Sequence, residues 1–172
     1  MSGIAVFDYG AGNLRSVMNT LEAIGAKFTL VDDAAGLTSA DKIILPGVGH
    51  FGQLLRSLDA MRVRSTLLTC ISGGTPFLGI CLGLQALFEE SEEAPDVKGL
   101  GVFEGKVKRF PEDARVPHMG WNELDVKAGS RLLRNVGEHP YVYFAHSYYV
   151  PVVNSAAATC QYAEPFTAVL EH

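Results

Sequence analysis

The stretch PFLGICLGLQALF, residues 76–88, places one cysteine, Cys81, between two glycines in an apolar run. The residues before Cys81 are typical of a short buried strand, and those after it predict a helix over 82–91. The spacing Gly79-x-Cys81-x-Gly83 is the nucleophile-elbow pattern, with cysteine in place of serine. Small residues are needed at these positions because the nucleophile stands on a tight turn whose backbone would collide with larger side chains. The stretch therefore predicts a thiol at the carboxyl edge of a sheet.

The position of Cys81 at a helix start predicts a reactive thiolate. Unpaired N–H groups and the helix dipole favour negative charge, so we expect its pKa to lie below the usual value of about 8.5. The alternative is a buried, inert cysteine whose glycine neighbours only allow close packing. The strand before Cys81 and the helix after it favour the nucleophile.

The first half of the chain alternates strand and helix patterns. Strands are predicted at 3–8, 27–31, 41–47 and 76–80, and helices over 14–25, within 51–71 and over 82–91. Such alternation predicts βαβ units, and hence an α/β fold with a central, mostly parallel sheet and helices on both faces.

The second half reads as strands without intervening helices. These strands are predicted at 100–110, 120–127, 141–153, 156–164 and 166–172. We expect them to form an antiparallel extension. Because no linker or internal repeat is visible, the sequence predicts a single domain over residues 1–172.

Composition excludes several classes of partner. The net charge is -5 and the pI about 5.5, which argues against nucleic acid and against an anionic membrane surface. No apolar run has membrane-spanning length and the N-terminus lacks signal-peptide features, so we expect a cytoplasmic protein. The cysteines Cys70, Cys81 and Cys160 are widely spaced, which predicts neither a disulfide framework nor a metal site, and no cofactor is expected.

Two glycine-rich turns accompany the elbow. ILPGVGHFG (44–52) ends a predicted strand at the same sheet edge, where backbone N–H groups can stabilise an oxyanion; an ordinary βα turn is the alternative. DYGAGNLRS (8–16) carries Arg15 where a dinucleotide motif needs its third glycine, so a loop that presents Asn13 or backbone amides is expected instead. For a base, His118 and His146 are candidates, but each also fits a structural role, and spacing does not choose between them.

Together these stretches resemble a known enzyme family. LGICLGLQ (78–85) and LPGVGHFG (45–52) resemble the class I, or triad, glutamine amidotransferases. Further stretches narrow the resemblance to the glutaminase subunits of imidazole glycerol phosphate synthases in histidine biosynthesis: DYGAGNLRSV (8–17), FEESEEAP (88–95), VPHMGWNEL (116–124) and YFAHSYYV (143–150). The resemblance implies that Cys81 attacks the side-chain amide of L-glutamine, that ammonia leaves, and that water hydrolyses the thioester.

The resemblance also assigns roles by position. It implies an oxyanion hole from the backbone N–H groups of Leu82 and Val48, the latter after a peptide flip in the Pro46–Gly49 turn. Positions that would bind substrate are Gly49, Gln85, Glu93, Ser147 and Tyr148. The ammonia would pass to a (β/α)₈ cyclase subunit, with which the chain would form a heterodimer. Positions that would contact this partner are Ala11, Asn13, His118, Met119, Gly120, Trp121 and Asn122.

One departure from the family concerns the triad. The resembled family completes it with a histidine and a glutamate in a late His-Pro-Glu run, and residues 1–172 contain no such run. We therefore expect a C-terminally truncated domain with impaired turnover. Two alternatives remain: a catalytically inactive module that binds the cyclase, and another cysteine hydrolase of related fold.

Overall fold

A computed structural model describes residues 3–137 and 139–172. Contacts within the chain divide it into two compact units, Met1–Gly105 and Lys106–His172. The single domain expected over 1–172 stays a prediction.

The first unit is built on a parallel sheet, as predicted. Its strands are β1 (Ile4–Phe7), β2 (Phe28–Val31), β3 (Lys42–Gly47), β4 (Phe77–Cys81) and β5 (Phe88–Ser91). Its helices are α1 (Leu14–Ala23), α2 (Ala34–Thr38), α3 (Phe51–Ala60), α4 (Arg64–Ser72) and α5 (Leu82–Gln85). Strands β1 to β4 pair in parallel in the order β2-β1-β3-β4. The order reverses between β1 and β3, which makes the carboxyl ends of these strands the expected ligand-binding edge.

Helices cover both faces of this sheet because its central strands are apolar on both sides. Val6 and Ile44 pack in one cluster with Leu21 of α1. Phe7 and Leu45 point to the opposite face, where they join a larger cluster with residues of α2 to α5. Continuous apolar runs are what a parallel sheet buried on both sides requires.

The predicted helix over 82–91 is wrong in its second half. Helix α5 ends at Gln85, and Phe88–Ser91 forms strand β5 in one sheet with β6 (Phe103–Arg109). Phe88 is buried, and its ring lies 5.6 Å from that of Phe103. This distant partner overrides the local helical pattern. Helix α2 was not predicted, although Asp33 caps it by accepting a hydrogen bond from Gly36 N–H at 2.7 Å.

The second unit consists of antiparallel pairs, as predicted for this half of the chain. Its strands are β7 (His118–Glu123), β8 (Asp125–Val126), β9 (Tyr141–His146), β10 (Tyr148–Tyr149), β11 (Ala156–Gln161) and β12 (Pro165–Leu170). β7 pairs with β9, β11 pairs with both β8 and β12, and β10 pairs with the end of β6. Phe110 and Phe166 lie at the centre of its aromatic core. Across the part of the chain that the structure describes, every helix is too short or too polar to cross a membrane.

A single carboxylate organises the loop at residues 130–132 of the second unit. Glu171 accepts hydrogen bonds from the Ser130 hydroxyl at 2.6 Å, from Leu132 N–H at 2.7 Å and from Arg131 N–H at 3.1 Å. These donors favour the charged form and lower the pKa of Glu171 from 4.5 to about 2.

The hydrogen-bonded Glu171 carboxylate predicts a pH-dependent contribution to the stability of the folded chain. Because the pKa of Glu171 is depressed in the folded state, its stabilising effect is present above about pH 4.5 and is lost as pH falls toward 2. Glu171→Gln should therefore lower Tm at pH 7 and much less at pH 3, as measured by thermal melts at both values. The exposed Glu164→Gln in the same unit is the control. An equal loss at both pH values would contradict the prediction.

Candidate active site

Cys81 stands on the strained turn that its spacing predicts. It is the last residue of β4 and the N-cap of α5, with φ 55° and ψ -110°. A positive φ costs a non-glycine residue free energy, and such strain is concentrated at functional sites. The side chain is exposed, in contrast to buried Cys160. Cys81 is therefore not the buried cysteine of the alternative interpretation, and its role as a nucleophile stays a prediction.

Three glycines let the elbow pack against its neighbouring strand. A Cβ on Gly83 would lie 2.0 Å from the carbonyl oxygen of Leu45 in β3. A Cβ on Gly79 would lie 2.5 Å from the carbonyl oxygen of Gly83, and one on Gly47 would lie 2.6 Å from the Gly83 nitrogen. All three contacts involve backbone atoms, which cannot rotate away. The steric reason proposed for the glycines on either side of Cys81 is confirmed.

The expected depression of the Cys81 pKa is wrong. Although Cys81 keeps exposed surface, surrounding protein atoms withdraw its thiol partly from water and so raise its pKa. The nearby charge of Glu93 raises the pKa further, while a hydrogen bond with the Leu82 backbone lowers it. Helix α5 has four residues, Leu82–Gln85, so its dipole is short. In this unit the thiol form of Cys81 is favoured beyond an ordinary cysteine.

The turn after β3 lies beside the nucleophile. Gly47 is the register partner of Cys81 across the β3–β4 pair. Val48 follows with an exposed side chain, and Gly49 has φ +96°. The two proposed oxyanion positions, Val48 and Leu82, thus directly follow the two residues of this register pair.

Tyr9 engages this turn and was missed by the sequence reasoning. Val48 N–H donates to the Tyr9 hydroxyl at 3.2 Å, and the hydroxyl donates to the Val48 carbonyl oxygen at 3.3 Å. The Val48 N–H therefore already has a hydrogen-bond acceptor, the Tyr9 hydroxyl, in this structure. Tyr9 belongs to the DYGAGN loop, in which the glycine pattern does not predict this contact.

Glu93 and Gln85 are the other two residues of the first unit to which the resemblance assigned substrate binding. The Glu93 carboxylate accepts a hydrogen bond from Phe51 N–H, at the start of α3, at 2.6 Å. Helix α3 has ten residues, and its N-terminus stabilises this charge. Gln85 is the buried last residue of α5. His50, also in this unit, caps α3 by accepting from Gly52 N–H at 3.1 Å.

The other expected positions have identifiable structural roles. Asn13 caps α1 by accepting a hydrogen bond from Ser16 N–H at 3.3 Å, and Ala11 packs against the core of the first unit. In the second unit, Ser147 lies between β9 and β10, and its carbonyl accepts from Phe110 N–H at 3.1 Å. Tyr148 lies in β10.

The two candidate histidine bases bind each other. His118 Nδ1 lies 2.9 Å from His146 Nε2, and His146 Nδ1 lies 2.9 Å from the Tyr148 carbonyl oxygen. The His118 ring is stacked on that of Tyr162, with centroids 3.9 Å apart. Burial lowers the pKa of both histidines, so both are neutral at pH 7. These contacts fit the structural role that was the alternative to a catalytic base for each histidine.

Strand β7 presents an exposed apolar surface. Met119 and Trp121 are exposed, the latter at 70%, and the Trp121 ring packs edge-on against Tyr143 of β9. Between them, Gly120 has φ +143°. Asn122 donates from Nδ2 to the Gln161 carbonyl oxygen at 2.9 Å. His118, by contrast, is only 4% exposed, so a partner on this strand would meet its neighbours rather than its ring.

Within residues 3–137 and 139–172, the histidine, cysteine and acidic side chains form no group of three that could hold a metal ion.

The fold and the elbow define an α/β protein that presents an exposed cysteine on a strand-to-helix turn, beside a glycine turn. A model of the family "Glutamine amidotransferase class-I" matches residues 5–167. Among curated proteins, the chain is 47% identical over 169 residues to "Imidazole glycerol phosphate synthase subunit HisH" of Methanothermobacter thermautotrophicus, covering 98% of this chain and 84% of the relative. The HisH subunit of Aquifex aeolicus is 44% identical, with 96% of this chain and 82% of the relative covered. The chain belongs to the class I glutamine amidotransferase family, and within it to the group of HisH sequences.

Solved structures agree on the fold. The crystal structure of a glutamine amidotransferase superposes with a TM-score of 0.72 at 18% identity, covering 92% of this chain and 85% of that one. The structure of PurLQS from Thermotoga maritima gives 0.69 at 22% identity, covering 91% and 73%.

The electrostatics of Cys81 can be tested by its reactivity. Because the charge of Glu93 raises the pKa of Cys81, Glu93→Gln should lower that pKa. The rate of alkylation by iodoacetamide, followed at Cys81 by peptide mass spectrometry, should then rise at lower pH than in the wild type. Glu22→Gln, on the exposed side of α1, is the control and should leave the profile unchanged. A shift of the Glu93→Gln profile to higher pH would contradict this account.

Proposed function

We propose that this chain is the glutaminase subunit of an imidazole glycerol phosphate synthase. It hydrolyses L-glutamine to glutamate and ammonia, and it delivers the ammonia to a cyclase subunit in histidine biosynthesis. The observation that carries the proposal is the strained Cys81 between β4 and α5, next to the Gly47–Gly49 turn. The similarity to HisH subunits from several organisms supports the substrate and the pathway.

The proposed reaction uses Cys81 as the nucleophile. Its sulfur, as thiolate, attacks the carboxamide carbon of glutamine, and negative charge develops on the carboxamide oxygen. The Leu82 and Val48 N–H groups are the proposed donors to that oxygen. The carbon–nitrogen bond then breaks, the nitrogen takes a proton, and ammonia leaves. Water attacks the resulting thioester, releases glutamate and restores the thiol.

Glu93 is the proposed acceptor for the α-ammonium group of glutamine. A carboxylate suits this role because a charge-assisted hydrogen bond to an ammonium group is strong. Binding of that cation would also offset the negative charge that raises the pKa of Cys81, so substrate would favour the attacking thiolate. Gly49, Gln85, Ser147 and Tyr148 are the further proposed substrate positions.

The proposed partner is a (β/α)₈ cyclase that joins the chain in a cytoplasmic heterodimer and uses the ammonia in a lyase-type reaction. The proposed contact residues are Ala11, Asn13, His118, Met119, Gly120, Trp121 and Asn122. The exposure of Met119 and Trp121 supports this assignment, because buried aromatic anchors dominate protein interfaces. No cofactor is part of the proposal.

A docking subunit without turnover is the second candidate. The two histidines considered as bases, His118 and His146, are hydrogen-bonded to each other.

Cys81→Ser separates the two candidates. If the chain is a glutaminase, ammonia release from glutamine in complex with the cyclase should fall by about 100-fold or more in this variant, because the attacking thiolate is lost. Ammonia can be measured by a coupled dehydrogenase assay. Cys70→Ser in α4 is the control and should keep the wild-type rate. Equal rates for wild type and Cys81→Ser, with the complex intact, would favour the docking subunit.

Trp121→Ala tests the partner surface. Loss of a central aromatic anchor should weaken cyclase binding by about 2 kcal/mol, roughly 30-fold in Kd. Because Trp121 is 70% exposed, Tm should change little. Isothermal titration calorimetry gives the Kd, and the exposed Leu132→Ala serves as control. An unchanged Kd for Trp121→Ala would show that this surface is not part of the interface with the cyclase.

A further inference from the structure

The Tyr9 side chain is buried, and the proposed function assigns it no role. It is 5% exposed, in the loop that follows β1. Its hydroxyl donates to the Val48 carbonyl oxygen and accepts from the Val48 N–H, at 3.3 and 3.2 Å. One hydroxyl therefore engages both backbone polar groups of the same residue, as only a group that can both donate and accept can do.

The hydroxyl is in the form that this double contact needs. Burial raises the pKa of Tyr9, and the charges of Cys81 and Asp8 act in the same direction, against a smaller lowering by the hydrogen bond with Val48. Tyr9 is therefore protonated at neutral pH and can donate.

The turn that Tyr9 holds has room to change its conformation. A Cβ placed on Gly49 would have no atom within 4 Å, and its φ of +96° is one that glycine leaves easily in either direction. The Val48 side chain is 47% exposed, so no core packing opposes its rotation. Gly47, in contrast, is clamped against Leu82 and Gly83, which confines movement to the residues after it.

The Val48 N–H is the group for which two acceptors compete. A strong N–H hydrogen bond has one acceptor, so while Val48 donates to Tyr9 it does not donate to an oxyanion on the substrate. We propose that Tyr9 is a positioning residue whose hydroxyl latches the Val48 peptide in a resting orientation, and that release of this latch frees the Val48 N–H for the oxyanion formed at Cys81. This inference rests on the proposed glutaminase function.

Tyr9→Phe removes the latch and keeps the aromatic ring. In this variant hydrogen exchange of the Val48 amide, followed by NMR, should become about tenfold faster, because a lost hydrogen bond shifts such an equilibrium by about that factor. The kcat for glutamine without the cyclase should also rise about tenfold, with KM unchanged. A merely structural role for Tyr9 would instead speed exchange throughout β1, including at Val6, and would leave kcat the same or lower.

Tyr162→Phe is the matched control. Tyr162 also donates its hydroxyl to a backbone carbonyl, that of Arg115 at 2.6 Å, but in the second unit. This variant should change neither Val48 exchange nor kcat. The latch is overturned if Val48 exchange is unchanged in Tyr9→Phe. It is also overturned if the chain hydrolyses glutamine and Tyr9→Phe speeds Val48 exchange without raising kcat. If the wild type with its cyclase releases no ammonia, the proposed function fails. The latch is then tested by hydrogen exchange alone: Tyr9→Phe should speed exchange at Val48 and not at Val6.

Discussion

The close approach of Gly83 to the Leu45 carbonyl oxygen is the constraint on which the active-site region depends. A Cβ at Gly83 would stand 2.0 Å from that oxygen, so the helix after Cys81 lies directly against β3. At this point β4 ends, and Cys81 takes a positive φ as the strand turns into α5. Strain at Cys81 is maintained because the glycine contacts on both sides over-determine the turn.

The same contact sets the neighbours of the thiol. Since β3 and β4 are held in register up to Gly47 and Cys81, the turn at Val48 begins beside Cys81. The charge of Glu93, which itself is hydrogen-bonded at the start of α3, acts on the thiol from another element. The raised pKa of Cys81 comes mainly from partial withdrawal of the thiol from water, and the charge of Glu93 adds to it.

Among the described residues of the second unit, every buried side-chain nitrogen or oxygen has a hydrogen-bond partner. His118 and His146 are neutral and hydrogen-bonded to each other inside a shell of aromatic rings, including Phe110. This pairing lets β7 and β9 carry histidines on their buried side while Trp121 is presented on the exposed side. The exposed surface and the buried pair are thus two consequences of one strand alternation.

The sequence by itself determined the features whose causes are local. Alternating strand and helix patterns predicted the parallel sheet, and the spacing of Gly79, Cys81 and Gly83 predicted the elbow, because both depend on residues within a few positions of one another. Only the tertiary structure decided the features that arise between distant residues. Strand β5 replaced the second half of the predicted helix because Phe88 packs on Phe103. The pKa of Cys81 is raised because the protein withdraws the thiol partly from water and because Glu93 is charged. Tyr9 and Val48 are 39 residues apart, and no local pattern reports a hydrogen bond between them.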